Sequence, residues 1–282
     1  MELKKLFPEL EILEIERVCT LWSGYGNIYR IYLRNRTLIC KHIDPPHDSS
    51  VSHLRKLKSY QTELAFYQLE KPDHPPIPQY ISSPKPNCYL LSDISTEYPT
   101  TYGDLTNTQL KQVLTWLASF HSYWCQKIPF QHKGSYWYVD TRLEELSRMK
   151  NKKLCSVAHR IDQKIHSSKF KTLIHGDMKS ENIQFNKDLC VVYDFQYVGA
   201  GLGAQDVCYL IASSARDTSS VDDLLKYYHQ RLTIANYSFH EFVQDFDLCL
   251  LDYVRFMDGW GYWGNSRWAI KRTQQLLDSL MN

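Results

Sequence analysis

Residues 173–198, LIHGDMKSENIQFNKDLCVVYDFQYV, decide how the rest of the chain is read. Two short apolar runs, Leu173–Ile174 and Cys190–Tyr193, have the pattern of buried strands, and each empties into an acidic residue at its polar end. Those residues are Asp177 and Asp194; between them Lys179 stands two positions after the first Asp and Asn182 five. The set suits phosphoryl transfer. Asp177 would accept the proton of an incoming hydroxyl, Asn182 and Asp194 would hold magnesium on the phosphates of ATP, and Lys179 would neutralise charge on the moving group. A single Asp at a strand end is commonly a turn or cap residue, but several residue types at fixed offsets make a much more specific pattern.

HGDMKSEN at 175–182 resembles the protein-kinase pattern H-R-D-x-x-x-x-N, with Gly176 in the Arg position, and DFQ at 194–196 resembles D-F-G with Gln196 in the Gly position. Both departures point the same way: the chain resembles the aminoglycoside phosphotransferase and choline kinase group of small-molecule kinases, including its ecdysteroid-kinase-like branch. The resemblance implies an α+β, bilobal protein-kinase-like fold, with a small β-rich N-terminal lobe over residues 1–93 and a larger, mainly helical lobe over 94–282. It also implies ATP and magnesium as cofactors and a small-molecule acceptor.

Composition adds bounds. Hydrophobic residues at 43% and charged residues at 23% describe an ordinary globular chain. A net charge of +2 calls for no nucleic-acid or membrane partner. The N-terminus, MELKKLFPELEILEIERV, lacks the apolar core of a signal peptide, and no later run has the length of a membrane span, so a cytoplasmic location is expected. The eight cysteines contain no C-x-x-C pair and several lie in apolar runs, which reads as reduced, buried thiols. Charge and composition leave the oligomeric state open.

Along the chain, residues 1–17 suit a short helix or an edge strand interrupted at Pro8. A glycine-containing turn at 23–27 then separates an incoming strand from Ile28–Leu33, and Thr37–Ile43 is a further strand. Gly24 and Gly26 would let backbone amides approach the phosphates of ATP, although a plain hairpin explains the same glycines. Lys41, inside a strand, needs an anionic partner; it resembles the kinase lysine that contacts the α and β phosphates. Glu63, on a helix over Val51–Glu70, is the favoured counter-ion, and Glu70 two turns further on is the other candidate. The proline-rich run KPDHPPIPQYISSPKP reads as an extended surface connection. In the kinase-like reading the strand CYLLSDIS closes the N-terminal lobe, and the backbone about Leu91, Ser92 and Ile94 would bond the adenine edge.

Leu110, Val113, Leu114, Leu117, Phe120 and Trp124 form one apolar face of a helix from Asn107 to about Gln126, started by Asn107 or Thr106. His121 on it suits the core better than ligation. Two helices, 141–151 and 156–170, lead to the opening stretch. After DFQ only nine residues, 197–205, precede Asp206. That is shorter than the segment with which protein kinases dock peptides and carry a regulatory phosphate. Asp206 resembles a buried Asp that caps the catalytic-loop backbone in the small-molecule group, with an ordinary helix N-cap as the alternative. Helices over Val221–Tyr237, Glu241–Met257 and Trp268–Leu280 complete the chain. The aromatic, glycine-rich DGWGYWGNSRW between the last two suits core packing, with Trp260 or Trp263, and Asp252 or Asp258, as candidates to face an acceptor.

The function expected is transfer of the γ-phosphoryl of ATP to a hydroxyl of a small molecule. A peptide kinase is one alternative, because MKSEN is close to LKPEN. A catalytically silent nucleotide-binding scaffold is the other, because Gln196 and Tyr29 depart from the kinase pattern.

Overall fold

Strand parity in the N-terminal third sorts side chains between two cores. A computed structural model of the chain describes residues 2–71 and 73–281. Its first elements are α1 (Glu2–Leu6), β1 (Glu14–Thr20), β2 (Gly26–Tyr32), β3 (Thr37–Ile43), α2 (Val51–Tyr67), β4 (Tyr80–Lys85) and β5 (Cys88–Ser92). The strands form one antiparallel sheet in the order β1-β2-β3-β5-β4. Successive side chains of a strand face opposite sides. Leu38 and Cys40 of β3 with Cys88 and Leu90 of β5 therefore pack under Leu3 and Phe7. Ile43, Tyr89 and Leu91 take the other side and join Tyr60, Leu64 and Tyr67 of α2 in the main core. Lys41 has the parity of Ile43, so it is carried on the α2 side.

The proline-rich run is more structured than its composition suggests. Residues 80–85 are β4, an edge strand whose register with β5 shifts twice, between Tyr80 and Ser82 and between Ser82 and Lys85. An irregular edge is where a sheet tolerates the missing amide of Pro84. Upstream, the Pro76 carbonyl accepts a hydrogen bond from Trp116 Nε1, and the His74 ring lies edge-on to Phe120.

The remaining chain is mainly helical: α3 (Asn107–Trp124), α4 (Leu143–Arg148), α5 (Lys152–Ser167), α6 (Gly203–Ser214), α7 (Val221–His229), α8 (Phe239–Trp260) and α9 (Ser266–Met281). Thr106 is the N-cap of α3, in a capping box with Gln109. Helix α8 packs against α4, α5, α6, α7 and α9. Between α5 and α6 lie two antiparallel pairs, β6 (Lys171–Ile174) with β9 (Gly199–Leu202) and β7 (Ile183–Phe185) with β8 (Cys190–Val192). The architecture is α+β and bilobal, a β-rich part standing on a helical one. Among the described residues no helix is long and apolar enough to cross a membrane.

Candidate active site

Lys41 is the first piece of the site. Its Nζ lies 2.5 Å from Glu63 Oε2 and 3.1 Å from Asp194 Oδ1, with the lysine and glutamate side chains almost fully buried. Glu70 lies beyond the end of α2 and is exposed. Burial works against the ammonium, but the two carboxylates outweigh it and hold the pKa of Lys41 above its ordinary value. Burial likewise opposes ionisation of Asp194, yet Lys41, Lys56 and Gln196 hold its carboxyl down at about 2. Asp194 sits at φ +66°, in the left-handed region that glycine adopts readily and other residues rarely do. Phe195 beside it is fully buried and stacks on Phe66 of α2 at 4.2 Å between ring centroids.

The loop after β6 is built on Asp206. This fully buried carboxylate accepts from the His175 amide at 2.7 Å, the Gly176 amide at 2.9 Å and, at 3.1 Å, His121 Nε2. His121 Nδ1 lies in turn 2.7 Å from the Tyr228 hydroxyl. Helix α6 begins at Gly203, so Asp206 is inside the helix, and its carboxylate holds the loop after β6 instead of acting as an N-cap. The His175 ring spans two backbone groups, Nε2 donating to the Tyr193 carbonyl at 2.9 Å and Nδ1 accepting from the Asp177 amide at 3.2 Å. Gly176 has φ +81°, and a Cβ there would meet the Tyr197 carbonyl at 2.2 Å and the Ser135 amide nitrogen at 2.6 Å. Only glycine fits this crossing.

Asp177 is 6% exposed. Its Oδ2 accepts from Asn182 Nδ2 at 3.1 Å and lies 3.3 Å from Lys179 Nζ, while Oδ1 is buried without a hydrogen-bond partner. Burial raises its pKa, opposed by the Lys179 charge and reinforced by Asp194. Lys41, Glu63, Leu91, Ser92, Asp177, Lys179 and Asp194 all line one cavity of about 590 Å³ between the sheet and the helical part.

Other candidates stand elsewhere. Gly24 and Gly26 do not line that cavity, whose roof comes from residues 18–22. Gly26 is required where β2 crosses β3, since a Cβ would lie 2.1 Å from the His42 carbonyl. The Gly24 amide donates to the Leu21 carbonyl at 3.0 Å. Asn182 is buried behind Asp177 and does not line the cavity. Trp260 lines it and Trp263 does not; Trp263 meets Tyr209 edge-on at 6.0 Å. Asp252 is buried against Arg255 at 2.7 Å, and Asp258 caps the amides of Lys150 and Asn151, so neither faces the cavity.

Several residues enter the site without a sequence signal of their own. Lys56, one α2 face with Ser59 and Glu63, donates to Gln196 Oε1 at 2.8 Å, and Gln196 Nε2 donates to Asp194 Oδ1 at 2.6 Å. Tyr136, Arg142 and Tyr197 form a wall beyond Asp177. The helical spacing of Lys56 and Glu63 would have flagged the former; loop residues 136 and 142 carry no such periodicity.

Oxygen donors bound to a charged carboxylate suit a magnesium-type cation, which takes one or two carboxylates and completes its shell with phosphates and water. Asp194, kept ionised on the cavity wall, fits that role; Asn182, whose Nδ2 is turned to Asp177, could bring only its carboxamide oxygen. Among the described residues no group of three or more His, Cys, Asp or Glu side chains forms an all-protein metal cage.

A β-rich lobe whose Lys–Glu pair faces two acidic loops of a helical lobe is the protein-kinase-like fold. Within it, the family model described as ecdysteroid kinase-like matches residues 94–237, and the chain belongs to that family. Structural similarity extends over the whole chain. The choline kinase LicA from Streptococcus pneumoniae superposes with a TM-score of 0.58 at 14% identity, covering 99% of this chain and 98% of its own. A candidate fructosamine-3-kinase from Thermobifida fusca gives 0.62 at 13% identity, with coverages of 99% and 98%. The amicoumacin kinase hAmiN, solved with AMP-PNP and Ca2+, gives 0.56 at 14% identity, with coverages of 99% and 93%. No curated protein sequence matches the chain.

Proposed function

We propose that the chain is an ATP-dependent phosphotransferase acting on a hydroxyl group of a small molecule. The observation that carries this reading is Asp177, whose carboxylate lines the cavity with Oδ1 buried and unpartnered while Oδ2 is held by Asn182 and Lys179. A buried acceptor without a donor is costly unless a ligand supplies one. An acceptor hydroxyl donating to Oδ1 would do so, in position for proton transfer.

In the reaction Asp177 orients the hydroxyl and takes its proton at Oδ1 as the acceptor oxygen bonds to the γ-phosphorus. The γ-phosphorus bond to the bridging oxygen breaks, and ADP leaves with that electron pair. Burial makes Asp177 a stronger base than an exposed Asp, and the Lys179 charge opposes that rise. Lys41, oriented by Glu63, holds the nucleotide phosphates. Asp194 and Asn182 would hold magnesium, which neutralises phosphate charge when bound. Leu91 and Ser92 would supply the backbone beside the adenine, and residues 18–22, which roof the cavity next to the turn with Gly24 and Gly26, would cover the phosphates. The β-rich residues 1–93 act as the nucleotide lobe and 94–282 as the catalytic and acceptor lobe.

A small acceptor is favoured over a peptide because the path after Gln196 enters β9 within three residues and α6 directly afterwards. That leaves no platform for an extended chain. The neighbour solved with AMP-PNP and Ca2+ supports a nucleoside triphosphate and a divalent cation.

The test is a metabolite-extract screen for ATP-dependent phosphorylated products, run with wild type and Asp177→Asn side by side. Products should appear with wild type and fall by about 100- to 10,000-fold in the variant, the usual contribution of a positioned base. Undiminished turnover by Asp177→Asn would remove the base assignment. Absence of any thermal shift with magnesium-ATP far above an ordinary dissociation constant would remove the nucleotide reading.

A further inference from the structure

Against the loop that carries Asp177 lies another buried polar atom without a partner. Ser135 is 4% exposed, its Oγ has no hydrogen-bond partner, and its backbone is held at φ +72°. Its amide donates to the Tyr197 carbonyl at 3.0 Å, and its backbone presses so closely on Gly176 that a Cβ on that glycine would lie 2.6 Å from it. Ser135 thus sits against the residue that precedes Asp177.

Ser135 lines a second cavity, of about 560 Å³, that adjoins the first and shares with it Lys56, Tyr136, Arg142, Gln196, Tyr197 and Trp260. The charge of this cavity is one-sided. Arg55, Lys56, Lys58, Lys133 and Arg142 line it, with Asp48 as the acidic member. Lys133 is offset from outside by Asp140 and Asp162, and Arg142 in part by Glu145 at 3.4 Å. Asp48 is taken up by the Ser50 hydroxyl at 2.7 Å. Lys56 is held by the carboxamide oxygen of Gln196, and its Nζ stands 5.0 Å from the Tyr60 ring centre and 5.8 Å from that of Tyr197. Arg142 is fixed over Tyr136 and Trp260, at 5.5 and 5.3 Å from their ring centres. Trp260 is 57% exposed at the mouth.

We infer that this second cavity is the acceptor subsite and that it selects an acceptor bearing an acidic group on a flat, apolar body. Ser135 Oγ and Lys56 bind the oxyanion, with Arg142 adding positive field. The faces of Tyr136, Tyr197 and Trp260 hold the body, and the hydroxyl is left at Asp177 Oδ1. Ammonium-bearing acceptors are disfavoured, because the like charge of Arg55, Lys56, Lys58 and Arg142 outweighs the one carboxylate, Asp48, on the cavity wall. The inference rests on the phosphotransferase reading for the identity of the site, but its binding preference can be measured without turnover.

The experiment uses three probes on one hydroxymethyl-naphthalene skeleton, a carboxylate, a carboxamide and a primary amine. Each is titrated into the full chain by calorimetry, without nucleotide and again with saturating magnesium-AMP-PNP. The carboxylate is expected to bind at least about tenfold more tightly than the amine, the effect of one charge-assisted hydrogen bond. It should bind alongside the nucleotide analogue. Lys56→Met and Ser135→Ala should each erase most of that preference while keeping the thermal unfolding transition. Equal or tighter binding of the amine overturns the inference, as does binding of none of the three. Competition between the carboxylate and the analogue also overturns it, because the anion would then occupy the nucleotide site. A missing response to magnesium-AMP-PNP alone speaks against the phosphotransferase reading and leaves the probe comparison standing by itself.

Discussion

Replacing Asp206 by Asn should loosen the loop that carries Asp177 from a position outside the cavity. The carboxylate accepts three hydrogen bonds, from the amides of His175 and Gly176 and from His121 Nε2, all in a fully buried setting. An Asn carboxamide offers one oxygen. If its nitrogen takes the place of Oδ1, the Gly176 amide loses its acceptor; if it takes the place of Oδ2, the His175 amide and His121 lose theirs. The first arrangement is the less costly, so the smallest loss is one hydrogen bond to a charged group, about 1.5–3 kcal/mol. At about 2–4 °C per kcal/mol for a chain somewhat smaller than this one, the melting temperature should fall by several degrees. Asp206→Ala abandons all three donors and should cost roughly 3–5 kcal/mol. The assay is thermal unfolding by circular dichroism together with hydrogen exchange of peptides covering 171–182. That segment should exchange faster in Asp206→Asn, while peptides from β3 keep wild-type protection. A melting temperature unchanged within a degree and unchanged exchange at 171–182 would show that Asp206 does not organise the loop.

Three further outcomes follow from the same geometry. Lys179→Met removes the charge that lowers the Asp177 pKa, so the acidic limb of the turnover–pH profile should move to higher pH, an outcome that a purely structural role for Lys179 would not produce. Gly176→Ala forces a Cβ to 2.2 Å from the Tyr197 carbonyl at φ +81°, and the melting transition should fall by more than that of a typical surface substitution, roughly 2 kcal/mol or more. Asp194, depressed to about 2 in the folded chain against an ordinary value of about 3.9, contributes stability that is complete above the unfolded value and is lost as pH falls toward 2. Asp194→Asn should therefore flatten the acid side of a stability–pH curve measured by chemical denaturation between pH 5 and 2.

Legibility in the sequence followed the range of the interactions. Strands β2 and β3 and the helices read over 51–70 and 107–126, which end at Tyr67 and Trp124, were readable because their side-chain periods repeat along the chain. The short stretch after Gln196 was readable as a length, but its pairing with β6 was not, since Gly199–Leu202 carries no alternation to announce a strand. Strand β4 hid behind its prolines, which an edge position with shifted register accommodates. Asp177 and Asp194 could be named together from their spacing and the motif resemblance, and both line the first cavity. Asn182 could be named but not oriented, and it faces Asp177 instead of the cavity. Asp252 and Asp258 looked like acceptor ligands only because their partners, Arg255 and the amides of Lys150 and Asn151, come from packing that no local pattern encodes. The same holds for Ser135 and Arg142, set against the cavity by the fold of a loop.

Gln196, a departure from the protein-kinase pattern, gains a structural meaning from these contacts. Its two amide ends join Lys56 and Ser59 of α2 to Asp194, at 2.8, 3.3 and 2.6 Å. One to two turns further along the same helix, Glu63 reaches Asp194 through Lys41. Besides the stack of Phe195 on Phe66, the helix and the acidic loop are therefore tied at two polar points, and moving Asp194 away from α2 requires both to break. A glycine at 196 would leave Lys41 as the one polar tie of the two and a more mobile backbone. Protein kinases set this helix and loop in place through a regulated segment. Here the side chain that replaces glycine supplies a second tie directly, in a chain whose path to α6 is too short for such a segment. Gln196→Gly should therefore raise hydrogen exchange in peptides covering Asp194 and the first turns of α2 together, since one carboxamide serves both; an increase confined to the loop would show that Glu63 and Lys41 alone hold the helix.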